Sequence, residues 1–462
     1  MKPFLLSLLL FAPAAHAVET GVLDNGAPFY CELDPRPATE HLFLHFDTGS
    51  GGIGAAGQGV LPAFKRILGK ALEDRRRDLL HLDAQWRMDW DPRSITIQII
   101  APPDGMADAL PLVSGLIRKP PLDGSSVQAG LALARADAVA LFSDPTVELR
   151  AAALRDAYGK TRDFLDGQAA PEDIDALSPA VIAALLPRLF DPSRLSYGAA
   201  GPAGVGQVRT WLAADAARWE DAKPYQAPKR ALPAALDRPR GVLARILRRP
   251  GQATDCFYVL VPDTLPTDPV KLNAERLCQR ILGDQKFGTL VTFLRREKTQ
   301  PISIRMFSGP SDWGIAGQVD PKHLADLLLY LPDLVKSLND TPPNAAEAKL
   351  QIMRLDAAYR RDRSLPWERM EQRLRDLSWY GNGDIDDKAQ EVLPNISRGD
   401  ILTYARTLSL VNSYLCLSGD PVHLHSVLDH IDWIHEPDLQ PFLRPAQQLW
   451  MFSETKDLNK GK

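Results

Sequence analysis

The chain has 462 residues, and its 54 basic and 58 acidic side chains give a formal net charge of −4. With 45% hydrophobic and 24% charged residues, the composition is that of a globular protein, which excludes disordered, collagen-like and coiled-coil classes. The near-balanced charge provides no overall attraction to nucleic acid or anionic lipid. The length predicts about two to four domains.

The N-terminal residues have the pattern of an export signal. Lys2 precedes an apolar run, Phe4 to Phe11, and small residues stand at Ala15 and Ala17, the two positions that a signal peptidase recognises. We therefore expect a signal peptide over residues 1–17, cleavage after Ala17 and a periplasmic protein. No later stretch approaches the roughly 20 uncharged apolar residues that a membrane span needs.

The central part of the chain mixes strand and helix patterns. Alternation at 42–46 predicts a strand, and apolar residues at helical spacing from 60 to 72 predict the helix that follows it. A second alternating segment at 94–100 precedes long amphipathic helices at 127–142 and 147–158. Strands and helices without strict alternation indicate an α+β fold.

Two distant segments resemble each other. Residues 195–202 and 414–421 are both short apolar runs that end in Gly and a turn residue, as a strand entering a tight turn does. Each follows a predicted helix that begins after a serine cap, Ser178 or Ser397. The offset of about 218 residues is the length that a duplicated domain would show.

The duplication divides the chain into five parts. We expect a signal peptide at 1–17, an N-terminal domain at 18–221, a linker at 222–251, a C-terminal domain at 252–447 and a polar tail at 448–462. The linker contains many prolines and basic residues, which is typical of a solvated surface connection. It lacks the interleaved aromatic residues that would stack on nucleic-acid bases.

The four cysteines do not form a metal or redox motif. They lie far apart, without a Cys-x-x-Cys pair, at Cys31, Cys256, Cys278 and Cys416. They are either buried small residues or members of one or two structural disulfides, and the pairing stays open.

One short motif suggests acid proteolysis. Asp47-Thr48-Gly49-Ser50 follows a strand, as the catalytic loop of an aspartic protease does. That chemistry needs two carboxylates that share a proton, and the sequence has no second loop of this kind. A strand that leaves through a glycine-rich turn is the favoured interpretation, and an aspartic-type protease using Asp47 is the third alternative.

The histidines do not predict a metal site. His41 and His45 are four residues apart on a strand, which separates them by about 13 Å. The histidines from His423 to His435 lack the spacing of hydrolytic zinc ligands, so a polar helix face is the favoured interpretation.

Four segments, spread over nearly the whole mature chain, form one ordered pattern. They are Gly21–Gly26, the strand ending at Gly49-Ser50 with the turn into the helix at Gly59, Leu277–Gly283 followed by Leu290, Phe293, Leu294, Arg295, Arg296 and Glu297, and the closing strand Leu417–Asp420. Together they resemble the insulinase/pitrilysin-type metallopeptidases, which carry an inverted zinc motif. The resemblance implies two duplicated domains, each a mostly antiparallel β-sheet covered by helices. It also implies a clamshell built from two such chains.

The resemblance implies that this chain has lost its own metal site. Active members read Gly-Leu-x-His-x-x-Glu-His, and here Pro62 and Arg66 stand at the histidines and Lys65 at the glutamate. The third ligand, a glutamate on a following helix, has no clear counterpart; Asp137 is the nearest candidate, and an ordinary acid on a helix surface is its favoured interpretation. We therefore expect no catalytic residue and no metal in this chain, and zinc only in a partner subunit.

The family's second half can contribute an arginine and a tyrosine that grip the substrate. Arg295 or Arg296 stands near the arginine position, but Ile302 and Ser303 occupy the region of the tyrosine. A solvated helix end is an equally weighted interpretation of these two arginines.

The leading hypothesis is a non-catalytic subunit that pairs with an active zinc metalloprotease of the same family. Together they would form a chamber that degrades or processes peptides in the periplasm. The second hypothesis is a stand-alone periplasmic peptide-binding or scaffold protein that uses the same cavity.

Overall fold

The computed structural model describes residues 18–49, 57–158, 169–219, 225, 243–262, 265–266, 268–283, 292, 301–309, 312–340, 343–408, 410 and 413–431. The expected signal peptide, the polar tail and most of the expected linker lie outside these residues. None of the helices in the described ranges combines the length and the apolar character that crossing a bilayer requires.

Two β-sheets form the centre of the molecule. The first contains β1 to β6, whose bounds are Val18–Val22, Pro28–Leu33, Glu40–Phe46, Gln85–Trp90, Ile95–Ala101 and Leu195–Gly201. The second contains β7 to β11, whose bounds are Leu243–Arg248, Asp255–Pro262, Pro301–Gly309, Asp312–Val319 and Tyr414–Gly419.

The two sheets share one topology. The first has the order β1-β2-β6-β3-β5-β4 and the second β7-β11-β8-β10-β9. Each has a single parallel pair, β2 with β6 and β7 with β11, and its other neighbours are antiparallel. Without the extra edge strand β1, the two orders correspond strand for strand, so the duplicated α+β architecture expected from the sequence is confirmed.

Helices cover both sheets. Those of the first half are α1 to α8, at Val60–Asp74, Arg76–His81, Pro103–Arg118, Gly124–Phe142, Pro145–Tyr158, Pro171–Asp175, Pro179–Leu189 and Val205–Ala216. Those of the second half are α9 to α15, at Pro269–Gly283, Pro321–Asp340, Ala345–Asp362, Pro366–Tyr380, Ile385–Val392, Arg398–Ala405 and Pro421–Asp429. The predicted serine caps are present, because Ser178 accepts from the Val181 amide and Ser397 from the Asp400 amide.

The sequence halves exchange one helix each. Helix α5 packs on β8 and β11 of the second sheet, where Leu149 and Ala153 are fully buried. Helix α12 packs on the first sheet, where Met370 and Leu374 cover Gly198 on β6. A Cβ at Gly198 would lie 2.8 Å from Leu374 Cδ1, so a larger residue would require the side chains of Leu374 and Met370 to shift. Both sheets are therefore buried on two faces, and all seven residues of β3 are buried.

A strand lies where the sequence indicated a surface linker, and the cysteines agree with one of their two interpretations. Strand β7, at Leu243–Arg248, lies inside the segment expected to be a surface linker at 222–251. It pairs in parallel with β11, so this end of the segment belongs to the second sheet. Its basic composition concealed the strand. All four cysteines are buried free thiols, which agrees with the interpretation as buried small residues and not with disulfides.

Candidate functional site

Helix α1 presents two different faces. Gly59, at φ 70°, forms the left-handed turn that starts the helix, and a Cβ there would lie 2.7 Å from Ile174 Cδ1. The inner face is fully or almost fully buried and consists of Val60, Leu61, Ala63, Phe64, Ile67 and Leu68. Positions 62, 65 and 66 lie between these residues and are half-buried or exposed, so they form the outer face on which a metal site would stand.

Proline at position 62 is compatible with the helix and incompatible with metal binding. It is the third residue after the Gly59 cap, within the first turn, where a backbone amide has no intrahelical acceptor. Its ring has no lone pair to offer to a metal ion.

Lysine at position 65 contacts an aromatic ring. The Lys65 ammonium lies 5.4 Å from the centroid of the Trp90 ring at the end of β4, a distance typical of a cation–π contact. A catalytic carboxylate at this position would activate water, whereas an ammonium cannot accept the proton.

Arginine at position 66 is paired with the aspartate considered as a third metal ligand. Arg66 Nη2 lies 2.5 Å from Asp137 Oδ2, and Nε donates to the same oxygen at 2.6 Å. Helix α4 approaches α1 closely at Gly130, where a Cβ would lie 2.4 Å from Ile67 Cγ1, and Asp137 follows two turns later. An internal ion pair thus occupies the place between the two helices. Both side chains are about half exposed, at 45% and 53%, so the pair contributes about 0–1 kcal/mol.

These residues do not fit a zinc ion. Within the described ranges, no three His, Cys, Asp or Glu side chains are grouped so that they could hold a metal. His41 and His45 bond to different partners, since His41 Nδ1 lies 2.9 Å from Gln98 Nε2 and His45 Nε2 lies 2.8 Å from Ser378 Oγ. No chemical step through a metal follows from this arrangement.

Asp47 belongs to a buried junction between the first sheet and α12. It accepts hydrogen bonds from the Ser378 hydroxyl and, at 2.6 Å, from the Tyr225 hydroxyl, and its Oδ1 lies 3.6 Å from His45 Nε2. Burial alone would raise the pKa of Asp47, but His45, Ser378 and Tyr225 lower it below its ordinary value. The net effect favours the ionised carboxylate.

This geometry does not support proteolysis by Asp47. An aspartic protease needs a second carboxylate beside the first, and no described carboxylate contacts Asp47. The group also differs from a serine-protease triad, because Asp47 contacts Ser378 while the other nitrogen of His45 bonds to Thr96 at 2.9 Å. With exposures of 5%, 2% and 0% for Asp47, Ser378 and His45, substrate has no access. Ser378 carried no sequence signal that could have connected it to the motif at Asp47.

Arg295 and Arg296 lie outside the described residues. Their suggested contact with substrate therefore stays a prediction.

The fold defines the class of protein: two duplicated α+β units whose outer helix face carries a proline, a lysine and a paired arginine. Among solved structures, it is similar to an M16 peptidase inactive domain from Pseudomonas fluorescens. The TM-score is 0.73 at 15% identity, over 87% of this chain and 98% of that one. The insulinase-like fold implied by the sequence resemblance is thereby confirmed.

Two further structures share the fold. The periplasmic protease PqqL from Escherichia coli has a TM-score of 0.70 at 12% identity, and the match covers 88% of this chain but 46% of PqqL. A chain of complex III from Candida albicans has a TM-score of 0.71 at 13% identity, over 90% of this chain and 99% of that one. No protein-family model and no curated protein sequence matches the chain.

Proposed function

We propose that this chain is a catalytically inactive M16-type subunit that pairs with an active, zinc-bearing subunit of the same fold. The pair would enclose a chamber in which peptides are degraded or processed. The observation that carries the proposal is the outer face of α1, where Pro62, Lys65 and the Arg66–Asp137 ion pair stand at the positions of the metal ligands and the base.

The chemistry of these groups is opposed to metal-dependent hydrolysis. A zinc peptidase needs neutral imidazoles to hold the ion and a carboxylate to take a proton from water. Each pair of like unit charges at 4 Å costs about 4 kcal/mol at an effective dielectric constant of 20, so the ammonium of Lys65 would disfavour a nearby dication. The fold is kept because the buried face of α1 does not depend on these outer residues.

The compartment and the partner complete the proposal. The sequence pattern of residues 1–17 favours export, and PqqL, which shares the fold, is a periplasmic protease. We expect zinc only in the partner subunit. Arg295 or Arg296 would contact the peptide from this chain.

The test is a reconstitution. An active subunit bearing the His-x-x-Glu-His helix is identified in the native host by co-purification, and cleavage of a quenched fluorescent peptide is measured with and without this chain. Cleavage should rise when this chain is added, and the purified chain alone should contain no stoichiometric zinc. Chelator-sensitive cleavage by the purified chain alone would contradict the proposal.

A stand-alone peptide-binding protein is the second candidate. It is favoured by a cavity of about 520 Å³ in the second half, lined by charged side chains. This candidate requires that the chain bind peptide without any protease subunit. Size-exclusion chromatography of the native protein distinguishes the two candidates, because only the first predicts that the chain elutes together with a protease subunit.

A further inference from the structure

The internal duplication gives the degenerate metal site a counterpart in the second half. Arg-Ile-Leu-Gly occurs at 66–69 in α1 and again at 280–283 in α9, and these helices follow the equivalent strands β3 and β8. The Ile-Leu pair is buried in both helices, with exposures of 0% and 0% in α1 and 1% and 0% in α9. The counterparts of positions 62, 65 and 66 are therefore 276, 279 and 280.

These three counterpart positions line a cavity. Arg276, Gln279 and Arg280 form its wall on α9, and its volume is about 520 Å³. The other walls come from α11, α12, α13 and β9. The size lies within the range of about 300–1,000 Å³ that is usual for small-molecule sites.

Among the described residues that line the cavity, positive and negative side chains are equal in number. They are three arginines and three carboxylates: Arg276, Arg280, Arg363, Asp362, Glu368 and Asp386. Arg276 and Asp386 neutralise each other, since Arg276 Nη1 lies 2.9 Å from Asp386 Oδ1. The same nitrogen also donates to the Tyr359 hydroxyl at 2.6 Å. A ligand with a large net charge would leave unbalanced charge in the cavity, whereas a zwitterion adds none.

Among the described residues of the wall, two carboxylate oxygens lack a hydrogen-bond partner, Glu368 Oε2 and Asp386 Oδ1, and only the second lies beside a cation, Arg276. Glu368 Oε2 is buried and accepts no hydrogen bond from any described residue. A buried carboxylate oxygen without a donor is unfavourable, and a donor from a ligand would satisfy it. Glu368 lies in the first turn of α12, on a different wall from the arginines of α9.

We propose that this cavity binds a zwitterion of the size of an amino acid or dipeptide. The ligand's ammonium donates to Glu368, and its carboxylate accepts from the guanidinium groups of Arg276 and Arg280. A guanidinium binds a carboxylate through two parallel hydrogen bonds, which fixes the orientation of the ligand. The proposal does not depend on pairing with a second subunit.

The test uses a series of ligands on the full chain. Isothermal titration calorimetry compares L-alanyl-L-leucine with its N-acetyl derivative, its C-terminal amide and free L-leucine. The unmodified dipeptide or the free amino acid should bind, and removal of either charge should weaken binding at least about tenfold. Equal binding of the N-acetyl derivative, or no binding of any probe at millimolar concentration, would overturn the proposal.

Matched variants locate the site. Glu368→Gln should weaken binding of the free dipeptide about tenfold and leave binding of the N-acetyl derivative unchanged. Glu391→Gln, which removes the same charge from the exposed surface of α13, should bind like the wild type. Circular dichroism and the melting temperature check that both variants fold. Equal affinities of the two variants for the free dipeptide would exclude Glu368 as the ammonium partner.

Discussion

The buried carboxyl group of Glu40 predicts a pH-dependent stability that one substitution should remove. Glu40 begins β3 and has no exposed surface. Its Oε2 accepts the Ala203 amide at 3.0 Å, and its Oε1 has no hydrogen-bond partner among the described residues. The carboxylate lies against Gly201, where a Cβ would be 2.4 Å from Oε2. The second sheet repeats this contact, because a Cβ at Gly419 would lie 2.0 Å from Asp255 Oδ1.

The magnitude follows from the pKa of this carboxyl. Burial raises the pKa of Glu40 from 4.5 to about 7, against the opposing effect of the Ala203 hydrogen bond. Because the folded pKa exceeds the unfolded one, the folded state binds the additional proton. The stabilisation is fully present below about pH 4.5 and is lost as the pH rises through about 7. At about 1.36 kcal/mol per pKa unit, the full loss is about 3 kcal/mol.

Replacement of Glu40 by Gln should remove this dependence while keeping the shape of the side chain. Urea unfolding at pH 5 and pH 8.5 measures the free energy of unfolding of the wild type and the variant. The free energy of unfolding of the variant minus that of the wild type should increase by about 1–3 kcal/mol from pH 5 to pH 8.5. Glu73→Gln, at an exposed position of α1, is the control and should follow the wild type. Parallel pH profiles for the wild type and Glu40→Gln would refute the reasoning.

Three further predictions concern α1 and α12. Arg66→Ala should lower the free energy of unfolding by less than about 1 kcal/mol, because its ion pair with Asp137 is half exposed, and thermal unfolding measures this. The triple variant Pro62→His, Lys65→Glu, Arg66→His should gain zinc binding, detected by competition with a chromophoric chelator, because Asp137 already lies beside position 66; an unchanged zinc content would contradict this. Ser378→Ala should lower the free energy of unfolding by about 1–3 kcal/mol, because two buried groups lose a hydrogen-bond partner, and a change below about 0.5 kcal/mol in urea unfolding would contradict it.

The sequence predicted those parts of the fold that local signals determine. Ser178 and Ser397 cap their helices because a short side-chain oxygen reaches the next free amides, and this pattern is visible in the sequence. The strands at 195–201 and 414–419 were visible because an apolar run followed by Gly is itself local. The helix at 60–74 was visible because its buried face recurs at helical spacing.

Contacts between distant residues could not be predicted in the same way. Ser378 and Asp47 are 331 positions apart, and neither residue carries a signal of the other. The exchange of α5 and α12 between the halves could not be predicted for a similar reason, since an amphipathic helix does not specify which sheet it will cover. Strand β7 was concealed because it is short, carries Arg245 and Arg248, and lies in a basic segment.

The exchange of helices makes each half of the chain depend on the other. If the chain were divided in the region between the two sheets, the first sheet would lose α12 and the second would lose α5. Each half would then expose a face that includes Phe43 or Tyr258, which have exposures of 0% and 1% in the intact chain. Each half therefore depends on the other for its own core, independently of any metal. The outer face of α1 carries no such constraint, so substitutions at positions 62, 65 and 66 leave both cores intact.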